Sequence, residues 1–147
     1  MRLLRISLVL SPVLLIGSLG GARPAESGVR GRTTWDSVYT QEQAARGQLA
    51  YAATCSRCHQ ESLGGADESP ALAGGTFLSK WSGLTIGELH DRVRTSMPPD
   101  DPGSYGRQQI SDVLAYVLSV NGFPAGRGEL PVTATALQEI RIEATRP

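Results

Sequence analysis

The sequence predicts an all-α domain built of short helices. Three observations carry this. Ile110, Val113, Leu114, Val117 and Leu118 recur at i, i+3, i+4, i+7 and i+8, the spacing of one helical face. Two capping boxes, Thr40 with Gln43 and Thr85 with Glu88, announce helix starts upstream of that face. No segment alternates apolar and polar residues well enough to read as a strand, and no internal repeat is present. The length of 147 residues suits one domain.

The elements follow in chain order. Arg2 and Arg5 precede the apolar run Ile6–Gly17, and small residues follow at Ser18–Ala22. This is the order of a secretory signal, so residues 1–25 are expected to be a signal peptide cleaved after Ala22 or Ala25. The apolar run is short for a membrane span, and no stable span is expected after cleavage; an uncleaved anchor is the alternative. The chain is therefore expected to be periplasmic or otherwise exported. Cleavage after Ala25 removes Arg2, Arg5 and Arg23 and leaves 11 basic residues against 14 acidic ones, a net charge of −3. With no basic stripe or run, nothing suggests a nucleic-acid partner.

Residues 26–38 read as a flexible lead-in. The first helix starts at Thr40 and runs through "QEQAARGQLAYAAT" to Cys55. Gly47 interrupts it at a cost of about 1 kcal/mol against Ala, which suits a close approach by another backbone. Tyr51 shares its face. Gln60–Gly75, rich in Gly, Ala, Ser and Pro, reads as a loop, and Phe77–Trp81 as a short helical turn. From Thr85, Ile86, Leu89 and Val93 give a helix to about Thr95, closed by Pro98 and Pro99. The strongest helix begins after Ser104 and stops at Asn121-Gly122, with Pro124 behind. This makes residues 39–124 the domain. Residues 125–147 form a C-terminal extension, a loop with one weak helical turn near Ala136–Ile140.

Aromatics make up only 5% of the chain, so a bound apolar cofactor could supply missing core volume. The stretch "TCSRCHQ" at 54–60 holds both cysteines and one of the two histidines. C-x-x-C-H is the attachment signature of a c-type haem. Two thiols at this spacing can add to the two vinyl groups of one porphyrin, and the next residue then arrives under the iron. Cys55 and Cys58 would be the thioether bonds and His59 the proximal ligand of one covalently attached haem c. Three other readings compete. A redox dithiol usually follows a strand, whereas this motif follows a helix. Zinc wants four ligands, and beyond the cysteines only His59 and His90 remain. A disulfide would not require His59.

The sixth ligand is argued by elimination. After signal removal Met97 is the only methionine, and it stands in "TSMPPDDPG" rather than on an apolar helical face. A Met/His pair raises the reduction potential. Two filled axial sites leave no place for substrate, which argues for an electron carrier rather than an enzyme. His90, near the apolar stripe of its helix, is the rival ligand. The alternative function is an open-site haem enzyme or sensor in which Met97 is not bound.

At these positions the chain resembles the class I monohaem cytochromes c. The matching pieces are "CSRCH" at 55–59, "MPP" at 97–99, and the helix pair carrying Gly47/Tyr51 and Val113/Tyr116. The resemblance spans about Tyr39–Phe123. "VYTQEQAARGQLAYAATCSRCH" looks like the small cytochrome c domains found with quinohaemoprotein dehydrogenases and oxidase-linked cytochromes. The resemblance implies the cytochrome c fold, small helices wrapped around one haem, with the first and last helices crossing at Gly47. It implies that the Pro70 carbonyl accepts the Nδ1–H bond of His59. It also implies that Trp81 donates its indole N–H to a haem propionate, and that Arg92, Arg94 or Lys80 neutralise propionates. The implied partners are a dehydrogenase donor, a terminal oxidase acceptor, or both. Two features depart from the pattern: His90 stands where an apolar residue is more usual, and the extension after Phe123 is long.

Overall fold

The computed structural model describes residues 31–147. The expected signal segment 1–25 and residues 26–30 lie outside the described residues. In chain order the elements are β1 (Arg32–Thr33), α1 (Gln41–Thr54), α2 (Ser56–His59), α3 (Gly74–Trp81), α4 (Ile86–Ser96), α5 (Arg107–Val120), α6 (Ala134–Gln138) and β2 (Ile140–Arg141). Among the described residues, six helices and one two-residue parallel strand pair make an all-α fold, as expected. Among the described residues no helix is long and apolar enough to cross a membrane.

The packing of α1 on α5 is the most extensive in the fold. It rests on Gly47. A Cβ there would run into the carbonyl of Asp112 and lie 3.0 Å from Cβ of Tyr116. The missing side chain lets the two backbones touch, which accounts for a glycine in mid-helix. One turn further on, the rings of Tyr51 and Tyr116 meet at 5.4 Å, tilted by 56°. The α5 stripe is buried along its length, with Ile110, Leu114, Val117 and Leu118 all in the core.

Both helix starts are capped as the sequence predicts, but not equally. At α4 the box is complete: Thr85 Oγ1 accepts from the Glu88 amide, and Glu88 accepts from the Thr85 amide at 2.7 Å. At α1 only half forms. Thr40 accepts from the Gln43 amide at 3.1 Å, yet the Gln43 side chain turns away. Its Nε2 donates to the Leu130 carbonyl at 3.1 Å, and its Oε1 accepts from the Leu130 amide at 2.6 Å. A buried amide has paired with a buried peptide group of the C-terminal extension. Gln43→Ala is expected to cost about 2 kcal/mol or more, because both Leu130 groups would be left buried without partners. Urea unfolding checks this; an unchanged midpoint would mean that Gln43 does not hold the extension.

Two segment assignments are corrected here. The part of the lead-in that is described, residues 31–38, is built into the fold. Thr33 pairs with Arg141 across β1 and β2, Trp35 meets Phe123 edge-on at 4.9 Å, and its indole donates to the Glu143 carbonyl at 2.9 Å. The extension 125–147 is likewise more than a loop. Leu130, Leu137, Ile140 and Ile142 are fully buried, and α6 packs on α4. Elements of two residues are too short for any period to register, and four scattered apolar residues do not make a stripe.

Candidate functional site

Helix α1 ends where the amide of Cys55 bonds back to the Tyr51 carbonyl at 2.8 Å. The single turn α2 follows, and the amides of Cys58 and His59 both return to the Cys55 carbonyl, at 3.2 and 3.0 Å. The turn sets both thiols and the imidazole within five residues of compact backbone. Both cysteines are free, Cys55 half-buried and Cys58 exposed. Burial pushes the Cys55 thiol up and the neighbouring Cys58 adds to this, against a lowering hydrogen bond from Thr54.

His59 is buried, and its Nδ1 lies 2.8 Å from the Pro70 carbonyl oxygen. A carbonyl can only accept, so Nδ1 carries a proton, and in the neutral ring that tautomer leaves the lone pair on Nε2. The intervening loop is folded to make this contact. Gln60 leaves α2 at φ +64, a conformation disfavoured for a side chain, and the Tyr51 hydroxyl donates to its carbonyl at 2.7 Å. Burial, with Cys55 and Tyr116 nearby, pushes that phenol up to about 12, so it remains a donor. The Gly65 amide then bonds to the His59 carbonyl at 3.1 Å. Gly65 has φ +72, and a Cβ there would collide with Ser69 and Pro70. Only glycine lets the loop close on itself at that point.

Met97 caps the C-terminus of α4 with an extended backbone, and its amide returns to the Val93 carbonyl at 2.9 Å. The turn that follows is tied to α2 by a long, exposed ion pair, Arg57 to Asp100 at 3.6 Å. An exposed pair of this length contributes little stability.

These residues share one cavity of about 350 Å³. Cys55, Cys58, His59 and Met97 all line it, with Leu72, Phe77, Leu89, Val93, Leu114 and Val117 as apolar wall. The volume lies within the range of cofactor sites. The donor set fits a covalently held haem: two thiols, an imidazole with a free Nε2, a thioether, and apolar walls. Pro70 and Trp81 line the cavity too, as do Lys80 and Arg92. Arg94 does not; it pairs with Asp91 at 2.6 Å outside the cavity. Arg57 and Tyr105 were missed by the sequence reading and also line it. Arg57 could have been suspected from its place inside the C-x-x-C-H motif, whereas Tyr105 carries no sequence signal.

His90 is elsewhere. It is buried beside the Arg107 carbonyl, with Nε2 at 3.4 Å, and it lines a second cavity of about 200 Å³ with Arg94, Arg107 and Gln138. Burial and the two nearby guanidinium groups push its pKa down. Among the described residues no three His, Cys, Asp or Glu side chains come together as a metal-ligand group, so the zinc reading has no donor set.

The family model described as cytochrome C oxidase, cbb3-type, subunit III matches residues 42–117, more than half of the chain. The chain belongs to this family of c-type cytochrome domains. The matched residues include all of α1 but Gln41, the C-x-x-C-H turn, α4, Met97 and most of α5. The fold of this cytochrome is thus the all-α cytochrome c fold, and the chemistry of such a domain is haem-based electron transfer. A solved structure, the sulfane dehydrogenase SoxCD from Paracoccus pantotrophus, resembles the cytochrome with a TM-score of 0.47 and 22% identity, covering 84% of this chain and 68% of that one. No curated protein matches it.

Proposed function

We propose that this cytochrome is an exported one-electron carrier whose haem is held by Cys55 and Cys58 and ligated by His59 and Met97. When bound, the haem supplies a one-electron Fe(III)/Fe(II) couple. The observation that carries the reading is that His59 and Met97 line the cavity of the two thiols while His90 lines another. His59 presents Nε2, and its Nδ1–H bond to Pro70 holds the ring and raises its basicity. Met97 presents a soft sulfur that favours the reduced state. The apolar walls exclude water. Lys80, Arg92 and the Trp81 indole would meet the propionates. The partners are redox proteins, a dehydrogenase donor, a terminal oxidase acceptor, or both. Export rests on the signal-like order of residues 1–25.

The test is Met97→Ala in haem-loaded protein. The variant is expected to lose the weak far-red sulfur-to-iron band and to bind carbon monoxide when reduced. Its potential should fall by on the order of 100 mV or more, within the roughly 0.8 V that axial ligands span. A variant that keeps the parent's spectrum and potential would exclude Met97 as the ligand. Ready binding of carbon monoxide by the unmutated reduced protein would favour an open-site enzyme or sensor.

A further inference from the structure

We propose that Asn121 is a positioning residue for His59, acting through the loop that carries Pro70. This rests on the reading of His59 as the proximal ligand. As a helix stop, the Asn121 side chain is superfluous. Gly122 at φ +82 already turns the chain, and the amides of Asn121, Gly122 and Phe123 already return to Val117, Ser119 and Leu118. The side chain instead reaches 47 and 49 residues back along the chain. Its Oδ1 accepts from the Gly74 amide at 2.9 Å, and its Nδ2 donates to the Leu72 carbonyl at 2.9 Å and to the Val117 carbonyl at 2.8 Å. On its other side the same segment is held by the Leu72 amide on the Leu63 carbonyl at 2.8 Å.

The segment just after Pro70 is therefore clamped to the end of α5, a helix whose Val113, Leu114 and Val117 form the cavity wall. The Pro70 carbonyl is aimed at His59 Nδ1 by that clamp. A firm Nδ1–H bond gives the imidazole more anionic character and favours the oxidised metal. A loosened one does the opposite. Asn121 thus couples α5 to the basicity of the ligand without touching the ligand.

The test uses the haem-loaded protein with two readouts: solvent exchange of the His59 Nδ1 proton in the reduced state by NMR, and the reduction potential. Asn121→Ala is expected to speed the exchange about tenfold or more, the effect of losing one or two ordinary hydrogen bonds, and to raise the potential. Asn121→Asp, which keeps the acceptor for Gly74 but loses both donors, should move both readouts the same way, and is read should the alanine variant fail to fold. Ser111→Ala is the control. It removes a bond of 2.8 Å from α5 to the Pro131 carbonyl, so it should lower the melting temperature and leave exchange and potential alone. Asn121 variants that melt early but keep the parent's exchange rate and potential would reduce Asn121 to a structural brace and overturn the proposal. If the unmutated protein shows no haem-linked His59 resonance, the reading of His59 falls first, and that failure is visible before any variant is made.

Discussion

Replacing Cys55 and Cys58 together with alanine is expected to abolish covalent haem entirely. The denatured chain should then show no haem stain on a gel, where the unmutated protein is expected to stain. The two thiols stand on one turn at the mouth of the cavity, and among the described residues there is no other cysteine. The effect should extend to the fold. Phe77, Leu89, Leu114 and Val117 line the cavity, and apolar surface that they and a haem bury together only in the native state stabilises that state. Without attachment, thermal unfolding should begin at lower temperature and lose cooperativity. Stain that persists in the denatured double variant would show that attachment does not run through these thiols.

Gly47→Ala is the second large effect, and its sign is a contest between two terms. Helix propensity favours alanine by about 1 kcal/mol. Against this, the added Cβ would run into the Asp112 backbone, which is not a flexible side-chain end that could swing aside. Overpacking of this kind costs about 1–3 kcal/mol and more where backbone must move. The steric term should win, giving a net loss of about 2 kcal/mol, and Gly47→Val should lose more. Parting α1 from α5 would also shift Tyr51 off Gln60 and displace the α5 wall of the cavity, so haem loading should fall together with stability. Urea unfolding and haem content per chain check this. A Gly47→Ala protein as stable as the parent would show that the helices need not touch at this point.

The site was more legible than the fold around it. Cys55, Cys58 and His59 lie within five residues, so a haem-attachment reading can be made from their spacing, and one turn of helix keeps them together whatever surrounds them. Gly47 was legible for another reason: a mid-helix glycine is costly, and the cost points to a contact. Met97 was reached by counting, because few sulfurs were available. The rejection of His90 from the cavity was not legible. Its place near an apolar stripe suits a ligand or a core residue equally, and it is the packing against Arg107 that turns it toward the second cavity.

Local signals, which act within a few residues, were therefore readable from the chain: both helix N-caps, the stripe of α5, the stop at Asn121-Gly122. Pairings between distant residues were not, apart from the crossing at Gly47 that the family resemblance implied. Gln43 was expected to complete a box with Thr40, and it bonds Leu130 across 87 residues instead. Asn121 was expected to end a helix, and it also holds Leu72 and Gly74. Residues 31–38 and 125–147 carry no period of their own, yet β1 and β2 pair and the extension supplies four core residues. The physical reason is common to all of them. A side-chain amide or a two-residue strand has several equally good partners, and the choice falls to whichever buried peptide group the packed chain leaves unsatisfied beside it.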